Sequence, residues 1–152
     1  MQYSARFIEL TTPIQTVGRS GEKPSVIGAS TREEYLAALE KEVVVCREQG
    51  YASIGLVCKS EWDARRLYEE LKGRIELHLL TGGTSYNTRG VFILPVYMAK
   101  GLEFDASLVC DAEHYRTEDD RHLLYVACTR ALHRLNLFYC GNQSPLLKEE
   151  SQ

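Results

Sequence analysis

The run Ser-Ile-Gly-Leu-Val-Cys at residues 53–58 constrains this chain more than any other stretch. It has no polar face to turn toward water, so it reads as a strand covered on both sides, the situation of a parallel sheet. Its surroundings agree. Ser60 and Asp63 stand at N-cap spacing, and Ala64, Leu67, Tyr68 and Leu71 recur on one helical face. Arg65, Arg66, Glu69 and Glu70 fall on the other face, and Gly73 closes the helix. Further strand-like segments lie at 75–80, 91–96 and 106–110, with an alternating one at Leu135, Leu137 and Tyr139. Pro95 has no N–H to give a ladder, so the strand that carries it is expected to bend near its end.

Two more helices are predicted. Thr31 and Glu34 offer a capping box before Leu36, Leu39, Val43 and Cys46, until Gly50 stops the run. Thr117 and Asp120 cap a helix over 118–132 with Leu124, Ala127, Cys128 and Ala131 inside. Strands alternating with helices imply right-handed crossovers and a mostly parallel α/β sheet flanked by helices. Ligands of such sheets bind at the carboxyl ends of strands, and Lys100-Gly101, following a strand, is expected there.

A length of 152 residues suits a single domain. Residues 1–28 are poorly defined, interrupted by Pro13, Gly18, Gly21 and Pro24, with short strands expected at 7–10 and 25–27. The tail 142–152 is expected to fray. A net charge of −3 argues against an independent phosphate-gripping module, so any nucleic-acid contact should be local. Cys46, Cys58, Cys110, Cys128 and Cys140 form no CxxC pair and sit in apolar company, which suits buried thiols in a reducing compartment. His78, His114, His122 and His133 show no metal spacing, so no metal site is expected. No run is long enough to cross a bilayer, and the N-terminus does not read as a signal peptide; a cytoplasmic setting is expected.

No Gly-x-x-x-x-Gly-Lys-[Ser/Thr] occurs, nor a nucleophile elbow or HExxH pattern, so a complete nucleotide triphosphatase site cannot be assembled from this chain. Two ordered stretches stand out instead. Ala99-Lys100-Gly101-Leu102-Glu103-Phe104-Asp105 precedes Leu124-Tyr125-Val126-Ala127-Cys128-Thr129-Arg130-Ala131, with the hydrophobic segment 107–111 between them. They resemble motifs V and VI of superfamily 1 helicases of the UvrD/Rep type, nearest to the helicase IV (HelD-like) branch, over roughly residues 50–148. The resemblance implies a C-terminal RecA-like (2A) lobe that lacks the P-loop.

What the resemblance implies can be carried over residue by residue. Such motors hold ATP between two lobes, and Mg2+ would be held by the N-terminal RecA-like lobe, the partner of this one. Arg130 takes the position of the arginine finger, whose guanidinium binds phosphate oxygens bidentately and stabilises phosphoryl transfer. Read alone, Arg130 would be a surface residue favoured by the dipole of a last helical turn. Glu103 matches the carboxylate that binds the nucleotide ribose, or else a solvated loop residue. Gly101 would admit the nucleotide to the backbone or simply turn the chain. Lys100 would anchor the motif or touch the nucleic-acid backbone. Leu102, Phe104 and Tyr125 read as packing residues.

Relatives often read Thr-x-His-x-Ala-Lys-Gly, with the threonine and histidine on single-stranded DNA; here Pro95 and Tyr97 stand in those places. Tyrosine can stack on a base, so Tyr97 joins Lys100 as a nucleic-acid candidate. The relatives' Asn-Tyr-Arg-Ser segment has no match beyond Arg19-Ser20, and 73–90 leaves no room for a large insertion. The expectation is the C-terminal lobe of a 3′-to-5′ DNA helicase, inactive alone. The alternative is the nucleotide-responsive lobe of a HelD-like ATPase that remodels RNA polymerase.

Overall fold

The computed structural model describes residues 25–80, 89–99 and 101–141. The strand expected at 7–10, Arg19-Ser20, Lys100 and the tail 142–152 lie outside the described residues. Six strands form one sheet: β1 (Ser25–Ala29), β2 (Ser53–Cys58), β3 (His78–Leu79), β4 (Gly90–Pro95), β5 (Phe104–Val109) and β6 (Ala131–Cys140). Their order is β1-β6-β5-β2-β4-β3, and every pairing is parallel. The helices are α1 (Arg32–Glu48), α2 (Glu61–Leu71), the single turn α3 (Val96–Ala99) and α4 (Glu118–Cys128), with a 3-10 turn at Ala112–His114.

Two cores follow from the period-2 alternation of the strands. Ile54, Leu56 and Cys58 of β2 face α1 and α2, with Leu39, Val43, Leu67 and Leu71. Val57 faces the other way, among Leu94, Val109, Leu135, Leu124 and Ala127, under α3 and α4. All six residues of β2 are buried, as expected of a strand covered on both faces. The chain moves one way across the sheet through α1 and α2 and returns through α3 and α4 on the opposite face. Right-handed crossovers require that division.

Local chemistry sets the helix ends. The Thr31 side chain accepts from the Glu34 N–H, while the Glu34 carboxylate takes the Ser30 N–H at 3.2 Å, one residue short of a closed capping box. At the other end the Gly50 N–H donates to Arg47 O (3.0 Å) and the Tyr51 N–H to Cys46 O (3.1 Å), with Gly50 at φ +87°. This is the left-handed glycine stop that the sequence announces. Thr117 and Asp120 close a reciprocal capping box on α4.

The structure corrects several expected boundaries. The segment 75–80 pairs only at His78–Leu79, on the sheet edge. The fourth strand is Gly90–Pro95 rather than 91–96, and the chain leaves it at Pro95 into α3, because proline cannot continue the ladder. The helix expected to reach 132 stops at Cys128, and Ala131 opens β6, paired with Phe104 of β5. Buried Ala131 therefore serves a strand. Glu70, assigned to the solvent side, is drawn half under by Arg32, whose Nη2 lies 2.7 Å from its Oε1. Residues 135–138 are buried in succession, because β6 is an inner strand. Cys46, Cys58, Cys110 and Cys128 are buried free thiols and Cys140 is partly buried. No described helix is long and apolar enough to cross a membrane.

Candidate functional site

The two motif segments meet. Residues 101–103 lead into the amino end of β5, Thr129 and Arg130 lead into the amino end of β6, and these strands are neighbours. The Phe104 N–H donates to Arg130 O at 2.9 Å, and Arg130 Nη1 donates to Leu102 O at 3.4 Å. The residues on either side of Glu103 are thus both bonded to Arg130, so the carboxylate and the guanidinium share one edge. Glu103 itself is exposed, and Arg130 is half-buried.

Arg130 is further held by the end of the helix that precedes it. Its Nε donates to Val126 O at 3.2 Å, and its Nη2 donates to Thr129 Oγ1 at 3.0 Å. The Thr129 hydroxyl is oriented in turn by donating to Val126 O at 2.9 Å. Arg130 stands past the C-cap Thr129, so it lies outside the helix rather than in its last turn. Gly101 has φ +82° in the turn closed by the Leu102 N–H on Ala99 O (2.9 Å), which supports its turning role. A Cβ there would meet no atom within 4 Å, so the turn faces open space.

This edge is not the one expected. The arginine and glutamate stand at the amino ends of β5 and β6, whereas the sheet argument placed the site at carboxyl ends. The reason is the route of the chain: between the carboxyl end of β4 and the start of β5, α3 and residues 101–103 lie on the way back across the sheet, and β5 starts parallel to β2 and β4. Tyr97 stays behind at the carboxyl edge, 57% exposed, its hydroxyl 2.8 Å from Glu61 Oε1. It is not brought together with Arg130 and Glu103. Leu102 and Tyr125 are partly buried and Phe104 is fully buried against one core, so all three pack as expected.

The carboxyl ends of β2 and β5 hold a different constellation. The chain leaves these adjacent strands toward opposite faces, which makes their ends a topological switch point. Asp111 sits there in the left-handed region at φ 54°, its N–H donated to Tyr35 Oη and its Oδ1 2.9 Å from Arg32 Nη1. His114 Nδ1 is 3.3 Å from Asp63 Oδ2. The hydrogen bond to Asp63 pushes the His114 imidazole above its ordinary value, against the opposing effect of its own burial. Burial pushes the Asp63 carboxyl up, but the bond and charge of His114, together with Ser60, outweigh it and leave it lowered. One ligand atom from each of Asp63, Asp111 and His114 lies within 4.8 Å of the others, a juxtaposition that no spacing in the sequence shows. Arg32 pairs with Asp111 and His114 with Asp63 across this crevice.

The family model of the UvrD-like helicase C-terminal domain matches residues 90–138, the span that holds both motif segments. Over 98% of its length the chain is similar to the C-terminal domain of a possible DNA helicase from Lactobacillus plantarum WCFS1, covering 92% of that domain at 31% identity and a TM-score of 0.80. The chain belongs to the UvrD-like helicase C-terminal domains. Its fold also resembles part of the Arterivirus nonstructural protein 10 helicase, solved in complex with DNA, at 10% identity and a TM-score of 0.53 over 88% of this chain and 31% of that one. A second crystal structure of the same viral helicase gives a TM-score of 0.53 at 11% identity, over 90% of this chain and 31% of that one. These two likenesses bear on the fold alone. Comparison with curated proteins yields no match.

Within this helicase domain, sequence reasoning passed over Asp105 and Thr129. Asp105 Oδ2 accepts from Ala52 N (2.8 Å) and Ser53 N (3.3 Å), while Ser53 Oγ accepts from Asp105 N (2.9 Å). The last residue of the first motif thereby fastens β5 to β2. Asp105 lies within the quoted motif, and a carboxylate at a strand start was the available signal.

Proposed function

We propose that this domain completes the ATP site of a DNA helicase whose N-terminal RecA-like lobe brings the phosphate cradle and Mg2+. Arg130 is the arginine finger, and Glu103 receives the nucleotide ribose. The observation that carries this reading is the bonding of Arg130 to both Leu102 and Phe104, which puts guanidinium and carboxylate on one exposed edge. The donor set suits a nucleotide: a permanent cation with a fork of N–H groups, a carboxylate for hydroxyls, and at Gly101 a turn with space in front of it. The 3.4 Å contact to Leu102 is the longest of the Arg130 hydrogen bonds. It is the contact the guanidinium exchanges for a phosphate oxygen when the lobes close, while Thr129 and Val126 keep the side chain aimed.

Opening and closing of the lobes then moves a single DNA strand past the domain in the 3′-to-5′ sense, in a cytoplasmic protein. Tyr97 and Lys100 serve that strand, and Tyr97, on the opposite edge from Arg130, leaves the nucleotide edge clear. Bringing Arg130→Ala and Arg130→Lys into the full-length helicase tests the assignment. ATP turnover should fall by about 10³-fold or more in both, with nucleotide affinity changed far less. Turnover retained in the alanine variant overturns it. The isolated domain should hydrolyse no ATP, and magnesium-dependent turnover by this chain alone would mean that a phosphate cradle lies within it.

A further inference from the structure

The crevice at the carboxyl ends of β2 and β5 gathers more negative charge than the protein answers. The carboxylates of Asp63, Glu70, Asp111 and Glu113 converge there around the imidazole of His114. Arg32 pairs with two of them, Glu70 at 2.7 Å and Asp111 at 2.9 Å, and Arg66 acts on Asp63 through its charge. Lys59, just past β2, is taken by Asp120 and by His114 O, both at 3.0 Å. Asp63 and Asp111 are buried, so water screens little of what remains. The inner three groups also stand as ligands stand. Bond lengths of about 2.0–2.1 Å put two ligands of one tetrahedral zinc about 3.4 Å apart, and His114 Nδ1 lies 3.3 Å from Asp63 Oδ2. Each side chain is held from behind. Ser60 Oγ donates to Asp63 Oδ2 at 3.1 Å, Arg32 takes Asp111 Oδ1 and leaves the second oxygen, and Glu113 Oε2 stands 3.6 Å from His114 Nε2 on the far side of the ring. Outer groups of this kind orient the ligands of metal sites. Topology is the independent argument, because a switch point is where open α/β sheets take their ligands.

We propose that Asp63, Asp111 and His114 bind a divalent transition-metal ion, zinc by preference, with water completing its coordination. Two carboxylates and one imidazole suit zinc, manganese or iron(II), and zinc is bound most tightly of the three. The ion replaces the proton between His114 and Asp63, which leaves to solvent. Water enters from the His114 side, whose side chain is 32% exposed against 10% for Asp63 and 2% for Asp111. Asp63 lies in the first turn of α2, and Asp111 and His114 flank the 3-10 turn after β5, so the ion ties that turn to the helix. This edge is opposite the one that carries Arg130 and Glu103, and the site stands or falls without the nucleotide reading.

The chain is stripped with a chelator and titrated with zinc chloride by calorimetry, and its melting temperature is followed in parallel. One saturable site is expected, and at a hundred-fold excess over Kd the melt should rise by about 5–10 °C. Asp63→Asn, Asp111→Asn and His114→Gln should each weaken binding by about ten-fold or more. Asparagine tolerates the left-handed backbone of residue 111, so that variant keeps the turn. Each variant is scored by its zinc-induced rise over its own metal-free melt, which separates a lost ligand from a loosened fold. Cobalt(II) in place of zinc reports the donors, and a visible band without thiolate charge transfer is expected. Zinc binding equal to the parent in all three variants overturns the site, as does a thiolate band, which would hand the ion to cysteine. Neither heat nor a shift of the melt at millimolar zinc overturns it as well, and the Arg130 turnover test is untouched by any of these results.

Discussion

Replacing Gly55 with alanine probes how the core of this domain sets the edge that carries Arg130 and Glu103. Gly55 lies in β2, and a Cβ built on it would stand 2.5 Å from Phe104 Cδ2 and 2.7 Å from both Cε2 and Cγ. Carbon atoms pack best at about 3.5–4.0 Å, so the ring must retreat by about 1 Å. It has nowhere easy to go: Phe104 is fully buried and packs against Phe92 with ring centres 6.4 Å apart. Overpacking of this kind costs about 1–3 kcal/mol. At 2–4 °C per kcal/mol for a domain of this size, the melting temperature should fall by about 2–12 °C. The strain also reaches the site, because the Phe104 N–H is bonded to Arg130 O. Thermal melts followed by circular dichroism, on Gly55→Ala, Phe104→Leu and the double variant, form the assay. The alanine should cost less than half as much beside the smaller leucine, the sign of direct coupling. A Gly55→Ala melt within about 1 °C of the parent, or equal costs in both backgrounds, would refute the reasoning.

Two further outcomes follow from the polar contacts. Asp105→Ala strips the acceptor from the Ala52 and Ser53 N–H groups and should lower urea stability by about 1–3 kcal/mol, with Asp105→Asn losing less; an unchanged midpoint in the alanine variant would dismiss this clasp. The His114–Asp63 pair gives stability that is complete below the ordinary histidine value of 6.5 and is lost as pH rises through the higher folded-state value. The melting temperature of the parent should therefore decline relative to His114→Gln as pH rises above 6.5, and parallel profiles would rule the pair out as the source.

Much of the fold was legible because it rests on local rules. The unbroken apolar run of β2 signals a strand covered on both faces wherever it occurs, and Thr31, Ser60 and Thr117 announce their helices through hydrogen bonds made within four residues. The end of α4 was less legible. Leu124, Ala127, Cys128 and Ala131 keep a helical period to the eye, yet Ala131 is taken by pairing with Phe104, and that competing bond lies 27 residues away in the chain. The edge strand β3 was overstated for the converse reason: only one neighbour is there to pair with it.

The site divides in the same way. Residue types and their order were enough to bring Gly101, Glu103 and Arg130 forward as candidates and to show that no contiguous Gly-x-x-x-x-Gly-Lys-[Ser/Thr] motif occurs in this chain. Which edge of the sheet carries them could not be read off, because it depends on how α3 returns the chain from β4 to β5 across β2. The meeting of Tyr97 with Glu61, and of Asp63 with Asp111 and His114, is likewise a product of crossovers that bring distant segments to one end of parallel strands. Short-range hydrogen bonding and hydrophobic period are written along the chain. The partner across a sheet is chosen only when the whole core closes.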